Sequence, residues 1–209
     1  MSGLVRKEFY LLKGLGRSYA LIFAFFILMA LTGVYNYTFA SAFAVMMLIM
    51  MPINTFSYDE AAKWDRYAAA SPAGRRGIVR GKYLFTLLLG AALLALSLLV
   101  QTAFYFLGQG DGDTLGEMYL AAVCCIGAGL LLNAVMLPCI FKLGVQKGRI
   151  ALLLSVGAAS GAFALVAGMG GKELLAAIEP LVPVLPAAGV ALLAASYFLS
   201  VRIYAAKEL

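Results

Sequence analysis

The chemically richest segment of this sequence lies between residues 58 and 67, where acidic and basic side chains flank the single tryptophan. Clustered carboxylates are able to hold a divalent cation, as an enzyme acting on lipid would require. In this segment, however, the carboxylates are interleaved with Lys63 and Arg66, which favours a salt-bridged surface helix over a metal centre. The cluster consists of Asp59, Glu60, Lys63, Trp64, Asp65 and Arg66.

Residue types that commonly carry catalysis or bind metals are scarce in the rest of the chain. The sequence has no histidine, and its cysteines, Cys124, Cys125 and Cys139, lie in one apolar segment without partners of metal-ligand type. We interpret them as small buried apolar residues. The chain also lacks the G-x-x-x-x-G-K-[S/T] loop that cradles nucleotide phosphates. It is therefore predicted to have no catalytic residues, no metal site and no cofactor of its own.

Composition indicates which elements position these side chains. Of the 209 residues, 64% are hydrophobic and only 12% are charged, which is too little polar surface for a soluble domain of this size. The apolar runs are continuous rather than alternating, so they predict membrane-spanning helices and not a β-barrel. We expect an all-α integral membrane protein, a single domain over residues 1–209. Its six transmembrane helices are predicted at about 19–35, 38–56, 83–107, 118–141, 150–169 and 187–204.

Two shorter helices are predicted outside these spans. At about 3–16, Val5, Phe9 and Leu12 recur at helical spacing beside a charged sector, a pattern typical of a helix lying in the membrane interface. An ordinary charged flank of the first span is the alternative. At about 58–68, acidic residues precede basic ones, as the helix dipole favours, so a short helix is expected between spans 2 and 3.

The distribution of basic residues predicts the orientation of the chain. All 16 lysines and arginines except Lys172 fall on one side of the predicted spans. Because cytoplasmic loops carry the excess of positive charge, both termini are predicted to be cytoplasmic. The net charge of +6 is then a consequence of topology, and binding to nucleic acid is not needed to explain it.

Small residues form a ridge along the predicted fifth span, at Gly157, Gly161, Ala164 and Gly168. In lipid, such spacing allows another helix to approach closely. The ridge is a candidate dimer contact, and packing within one chain is the alternative.

The second span carries four methionines on one side, Met46, Met47, Met50 and Met51. Methionine is flexible and polarizable, so these residues are candidates for a conduit that accepts varied apolar ligands. Contact with lipid or with the core is the alternative.

Polar residues inside the spans are few. Gln101 and Asn133 are interpreted as hydrogen-bond partners between helices rather than as substrate contacts. No charged side chain falls near the centre of a predicted span. Ion-coupled transporters generally place a charge there, so coupling to an ion gradient is disfavoured.

Several motifs flank the predicted spans 2, 3 and 4. They are Tyr58-Asp59-Glu60, Trp64-Asp65-Arg66-Tyr67, Ser71-Pro72, Arg75, Ile78-Val79-Arg80-Gly81-Lys82-Tyr83, Pro138, Phe141-Lys142-Leu143-Gly144 and Lys147-Gly148-Arg149. These segments resemble those of the small ABC-2 type transporter permeases, and the resemblance extends over essentially the whole chain. Within that family the chain is most similar to permease subunits that export phenol-soluble modulins, which are short amphipathic helical peptides.

The resemblance implies a transmembrane subunit of an ATP-driven exporter in the cell membrane. Two copies would pair with two copies of a separate ATPase, which would bind ATP and Mg²⁺, and the helix at about 58–68 would dock on that ATPase as a coupling helix. The cargo would be an amphipathic peptide or another hydrophobic molecule. A membrane-embedded lipid-modifying enzyme and a non-transporting membrane or immunity scaffold are the alternatives.

Overall fold

A computed structural model describes residues 2–32, 37–64, 67, 74–108, 112–168 and 179–206, and over these residues it contains helices and no strand. The predicted all-α class is thereby confirmed for the described part of the chain. A short 3-10 helix, Glu179–Val184, precedes the last long helix. The long helices are α1 (Ser2–Leu31), α2 (Tyr37–Ala61), α3 (Gly74–Phe106), α4 (Leu115–Leu143), α5 (Val145–Gly168) and α6 (Leu185–Ala205).

The described residues contain four helices that are long and apolar enough to cross a bilayer, or five if a bent pair is counted as one span. The bent pair is Gly3–Gly14 and Gly16–Met29, whose axes differ by 62°. Six spans therefore remain a prediction, with the predicted fifth span falling in α5. The four unbroken candidates are Thr38–Ala61, Gly74–Phe106, Leu115–Leu143 and Val182–Ala205.

Helix α4 is the centre of the bundle and packs against α2, α3, α5 and α6. Its contact with α6 depends on two glycines. A Cβ atom added to Gly127 would lie 2.7 Å from Cα of Pro186, and one added to Gly189 would lie 2.6 Å from the carbonyl oxygen of Gly127. Small residues let two backbones approach this closely in lipid. The sequence pattern had predicted such packing in α5 and gave no sign of this pair.

Buried hydrogen bonds join the helices within the apolar part of the bundle. The Gln101 side chain of α3 donates to Oγ of Ser41 on α2, at 2.9 Å. The Asn133 side chain of α4 donates to the carbonyl oxygen of Leu48 on α2, at 3.2 Å. The prediction that these two polar residues bond between helices is confirmed.

Residues from near both ends of the chain lie at one end of the bundle. Nζ of Lys82, in the first turns of α3, is 2.8 Å from Oε2 of Glu8 on α1. Nη1 of Arg75, also on α3, donates to the carbonyl oxygen of Ala205 at the end of α6, at 2.7 Å. We call this the basic end, because α1, α3, α5 and the ends of α4 and α6 bring together Arg6, Lys7, Arg75, Arg76, Arg80, Lys82, Lys142, Lys147, Arg149 and Arg202.

Candidate functional site

The segment singled out by the sequence begins inside α2. This helix continues through Ala61, because no glycine or proline interrupts residues 53–61, and it ends at a turn in which Lys63 has a φ of 49°. Trp64 is again helical, whereas Asp65 and Arg66 lie outside the described residues. The first four residues of the helix expected at about 58–68 therefore extend α2. Trp64 and Tyr67 are helical, and a short separate helix beyond Lys63 stays a prediction. Lys63 stands in the turn, beyond the end of the helix that carries Asp59.

Four charged side chains from three helices form an ion cluster at the basic end: Lys7 and Glu8 of α1, Asp59 of α2 and Lys82 of α3. Nζ of Lys82 is 2.6 Å from Oδ2 of Asp59, besides its contact with Glu8. Nζ of Lys7 is 2.5 Å from Oδ1 of Asp59 and 3.3 Å from Oε1 of Glu8. Lys82 makes one further hydrogen bond, because its ammonium group donates to the Thr55 hydroxyl at 3.1 Å.

Three members of this ion cluster are almost fully withdrawn from solvent, with Glu8 4%, Asp59 6% and Lys82 3% exposed, whereas the Lys7 side chain is 23% exposed. Two ammonium groups balance two carboxylates, so the cluster has no net charge. Burial of ions is costly, and it is tolerated where each charge is paired and hydrogen-bonded. Glu8 belongs to the charged sector of the helix predicted to lie in the membrane interface, yet it points into the bundle. Asp59, expected on a docking surface, is likewise internal.

Two aromatic rings cover the ammonium groups of the cluster. Nζ of Lys7 is 4.7 Å from the ring centroid of Trp64, which is half-buried, and Nζ of Lys82 is 4.5 Å from that of Phe56. These are cation–π distances. Trp64 is thus in direct contact with the ion cluster and, through Lys7, with α1.

Glu60 joins α2 to α5. The Val145 N–H, the first of α5, donates to Oε2 of Glu60 at 3.2 Å, so the carboxylate caps a helix N-terminus and complements its dipole. The preceding residue, Gly144, has a φ of 84°, which permits the abrupt change of direction from α4 to α5. A second link nearby joins Arg149 to Oγ of Ser57, at 3.2 Å.

The methionines of α2 divide between two environments. Met51 is buried in the core, whereas Met46 is 55% exposed. Met46, Met47 and Met50 line an open apolar groove of about 380 Å³ between α1 and α2, together with aromatic residues that include Tyr19, Phe26 and Phe43.

The small-residue ridge of α5 faces outward where it is described. A Cβ added to Gly157 or Gly161 would have no atom within 4 Å, and Ala164 is exposed. The surroundings of Gly168 lie outside the description. Within the described chain, packing against its own helices therefore does not explain Gly157 and Gly161.

The sequence pattern did not predict Lys7, Glu8 and Lys82 as parts of the site. One feature of the sequence did point to Lys82, because this residue stands directly before a long apolar run. Together with the basic residues that precede it, this run makes α3 longer than a bilayer is thick. At 33 residues, α3 is about 50 Å long. A pairing with residues 23 and 74 positions away, however, is not visible in local spacing. Among the described residues, no three Cys, Asp or Glu side chains are grouped to hold a metal.

A bundle of long apolar helices with its basic residues gathered at one end is that of a multi-pass membrane protein. The family model described as ABC-2 family transporter protein matches residues 3–205, so the chain belongs to this family. The family consists of membrane subunits of ABC transporters, which are not themselves catalytic and act with an ATPase partner. Neither a curated protein nor a solved structure gave a significant match.

Proposed function

We propose that this chain is the permease subunit of an ATP-driven exporter, in which two copies form the pathway and two copies of a separate ATPase bind ATP and Mg²⁺. The basic end faces the cytoplasm in this proposal, with both termini on that side. The observation that carries the proposal is the ion cluster, which joins α1, α2 and α3 at the basic end and contacts Trp64 through Lys7.

The contacts of Trp64 supply a route from an ATPase to the transmembrane helices. Trp64 follows the end of α2 and contacts Lys7, which binds Asp59, and Asp59 in turn binds Lys82 of α3. An ATPase that moves the segment from Lys63 to Arg66 would therefore displace three helices as one unit. Asp59 serves in this route as an internal link, while Glu60 carries the movement to α5.

The groove between α1 and α2 supports the assignment of an amphipathic or hydrophobic cargo. Its walls are apolar, and flexible methionine side chains adapt to ligands of different shape. A volume of about 380 Å³ holds several apolar side chains. Short amphipathic peptides of the phenol-soluble modulin type are the cargo that we propose.

The test is reconstitution of the tagged chain with the ABC ATPase that co-purifies with it, followed by measurement of ATP turnover and of ATP-dependent peptide flux in vesicles. We expect Trp64→Ala to lower both the amount of bound ATPase and the turnover at least about tenfold, as the loss of a central aromatic anchor does. The matched control is Tyr10→Ala, which removes an exposed aromatic residue of α1.

Two outcomes would contradict the proposal. Unchanged ATPase binding and flux in Trp64→Ala would remove the coupling role of this segment. Stable ATPase binding without flux of any amphipathic peptide would instead favour the non-transporting scaffold.

A further inference from the structure

A second apolar groove, of about 410 Å³, lies between α3 and α6 on a different face of the bundle from the methionines. From Arg80 it follows α3 to Leu87 and α6 from Phe198 to Val190, a length of about 10–12 Å at 1.5 Å per residue. That length covers most of one leaflet's share of the hydrocarbon layer. Its walls are formed by Leu84 and Leu87 of α3 and by Val190, Ala194, Tyr197 and Phe198 of α6.

Positive charge is concentrated where the groove opens at the basic end. Arg80 lines the groove and is exposed. Arg76 precedes it by four residues on α3, and Arg202 follows Phe198 by four residues on α6, so helical periodicity places both near the same opening. Neither α3 nor α6 contains an acidic residue, and no described carboxylate forms an ion pair with Arg80.

We propose that this groove binds an anionic glycerophospholipid of the leaflet at the basic end, with its phosphate on Arg80 and Arg76 and one acyl chain between α3 and α6. A guanidinium presents paired N–H donors that match phosphate oxygens, and its stem lies along apolar surface. Basic openings between transmembrane helices are suited to anionic head groups.

Charge argues against a second copy of this chain as the occupant. In a two-fold dimer whose axis is normal to the membrane, both copies place Arg80 at the same depth. Pairing of the two grooves would therefore bring like guanidinium groups together in a medium of low dielectric constant. A lipid phosphate neutralises the same groups.

The test compares vesicles of phosphatidylcholine alone with vesicles that contain phosphatidylglycerol, using native mass spectrometry to count the lipids retained by the purified chain. We expect wild type to retain phosphatidylglycerol selectively. The Arg76→Ala/Arg80→Ala double variant should bind it about 10- to 30-fold more weakly. The control is Lys142→Ala/Lys147→Ala, which removes two exposed charges at the same end and should change binding less than about twofold.

A second pair of variants keeps all charges and tests the apolar part of the groove. Ala194→Phe fills the groove and should lower retention several-fold, whereas Ala195→Phe, exposed on another face of α6, should not. Equal losses in both double variants, or equal retention in both phenylalanine variants, would overturn the proposal. Disulfide cross-linking of Leu87→Cys to its copy in a background without native cysteines would show that a second chain covers the groove.

Discussion

Nζ of Lys82 on α3 lies 2.6 Å from Oδ2 of Asp59 at the end of α2, and both side chains are more than nine-tenths buried. Neither charge is tolerable there alone, since an unpaired buried ion costs several kcal/mol. The pair therefore makes the positions of α2 and α3 depend on each other at the end where the ATPase is proposed to bind. Glu8 and Lys7 extend the same dependence to α1.

Removal of the charge of Lys82 should destabilise the bundle strongly. Lys82→Met leaves Glu8 and Asp59 buried with one cation between them, so we expect a loss of about 3–5 kcal/mol in the free energy of unfolding. The loss is measured by titration with sodium dodecyl sulfate in mixed micelles. Lys142→Met, at an exposed position, is the control and should change the free energy by less than about 0.5 kcal/mol.

A double variant separates the ion pair from simple packing. Lys82→Met combined with Asp59→Asn removes one charge of each sign, so its loss should be smaller than the sum of the two single losses. Additive losses would mean that the two side chains act independently, in contradiction to the geometry.

Replacement of Glu60 should loosen the start of α5 without unfolding the bundle. Glu60→Ala removes the acceptor for the Val145 N–H, at a cost of about 1 kcal/mol, which corresponds to about fivefold faster hydrogen–deuterium exchange at Val145–Arg149. Glu60→Gln retains an acceptor and should have the smaller effect. Glu117→Ala removes a comparable cap from the start of α4 and should leave exchange at Val145 unchanged. Equal exchange in all variants would exclude the cap.

The helical class and the gathering of basic residues at one end follow from the sequence because they depend on local properties. A continuous apolar run predicts a helix in lipid, and each charged flank marks one end of such a run. Gln101 and Asn133 were correctly assigned to bonds between helices, because an amide inside an apolar run has few other partners.

The sequence did not indicate whether a charged side chain points into the bundle or towards solvent. Asp59 and Glu8 look like surface residues, since each has basic neighbours one to four positions away. In the structure both carboxylates bind Lys82, which only the tertiary fold brings near them. The same limit applies to glycines. Gly127 packs closely against Pro186 and Gly157 has no neighbouring atom within 4 Å of an added Cβ, although both lie within apolar helices.

That difference between the glycines is directly testable. Gly127→Ala places a Cβ atom against the backbone of Pro186, so α4 and α6 must separate, and we expect a loss of about 1–3 kcal/mol in the free energy of unfolding. Gly157→Ala meets no described atom and should be neutral or stabilising by up to about 1 kcal/mol, through its higher helix propensity. The measurement is again titration with sodium dodecyl sulfate. A loss in Gly157→Ala equal to that in Gly127→Ala would contradict the described packing.

Substitutions on the exposed small-residue ridge of α5 also provide a test of the proposed homodimer. If a second copy packs on Gly157 and Gly161, the double replacement Gly157→Leu/Gly161→Leu should prevent close approach and lower the dimer fraction at least about fivefold, with the fold of each copy intact. Chemical cross-linking in vesicles measures the dimer fraction. Gly157→Ala/Gly161→Ala retains small side chains and should dimerise as wild type does. A dimer fraction unchanged by the leucine pair would place the contact between copies elsewhere than on α5.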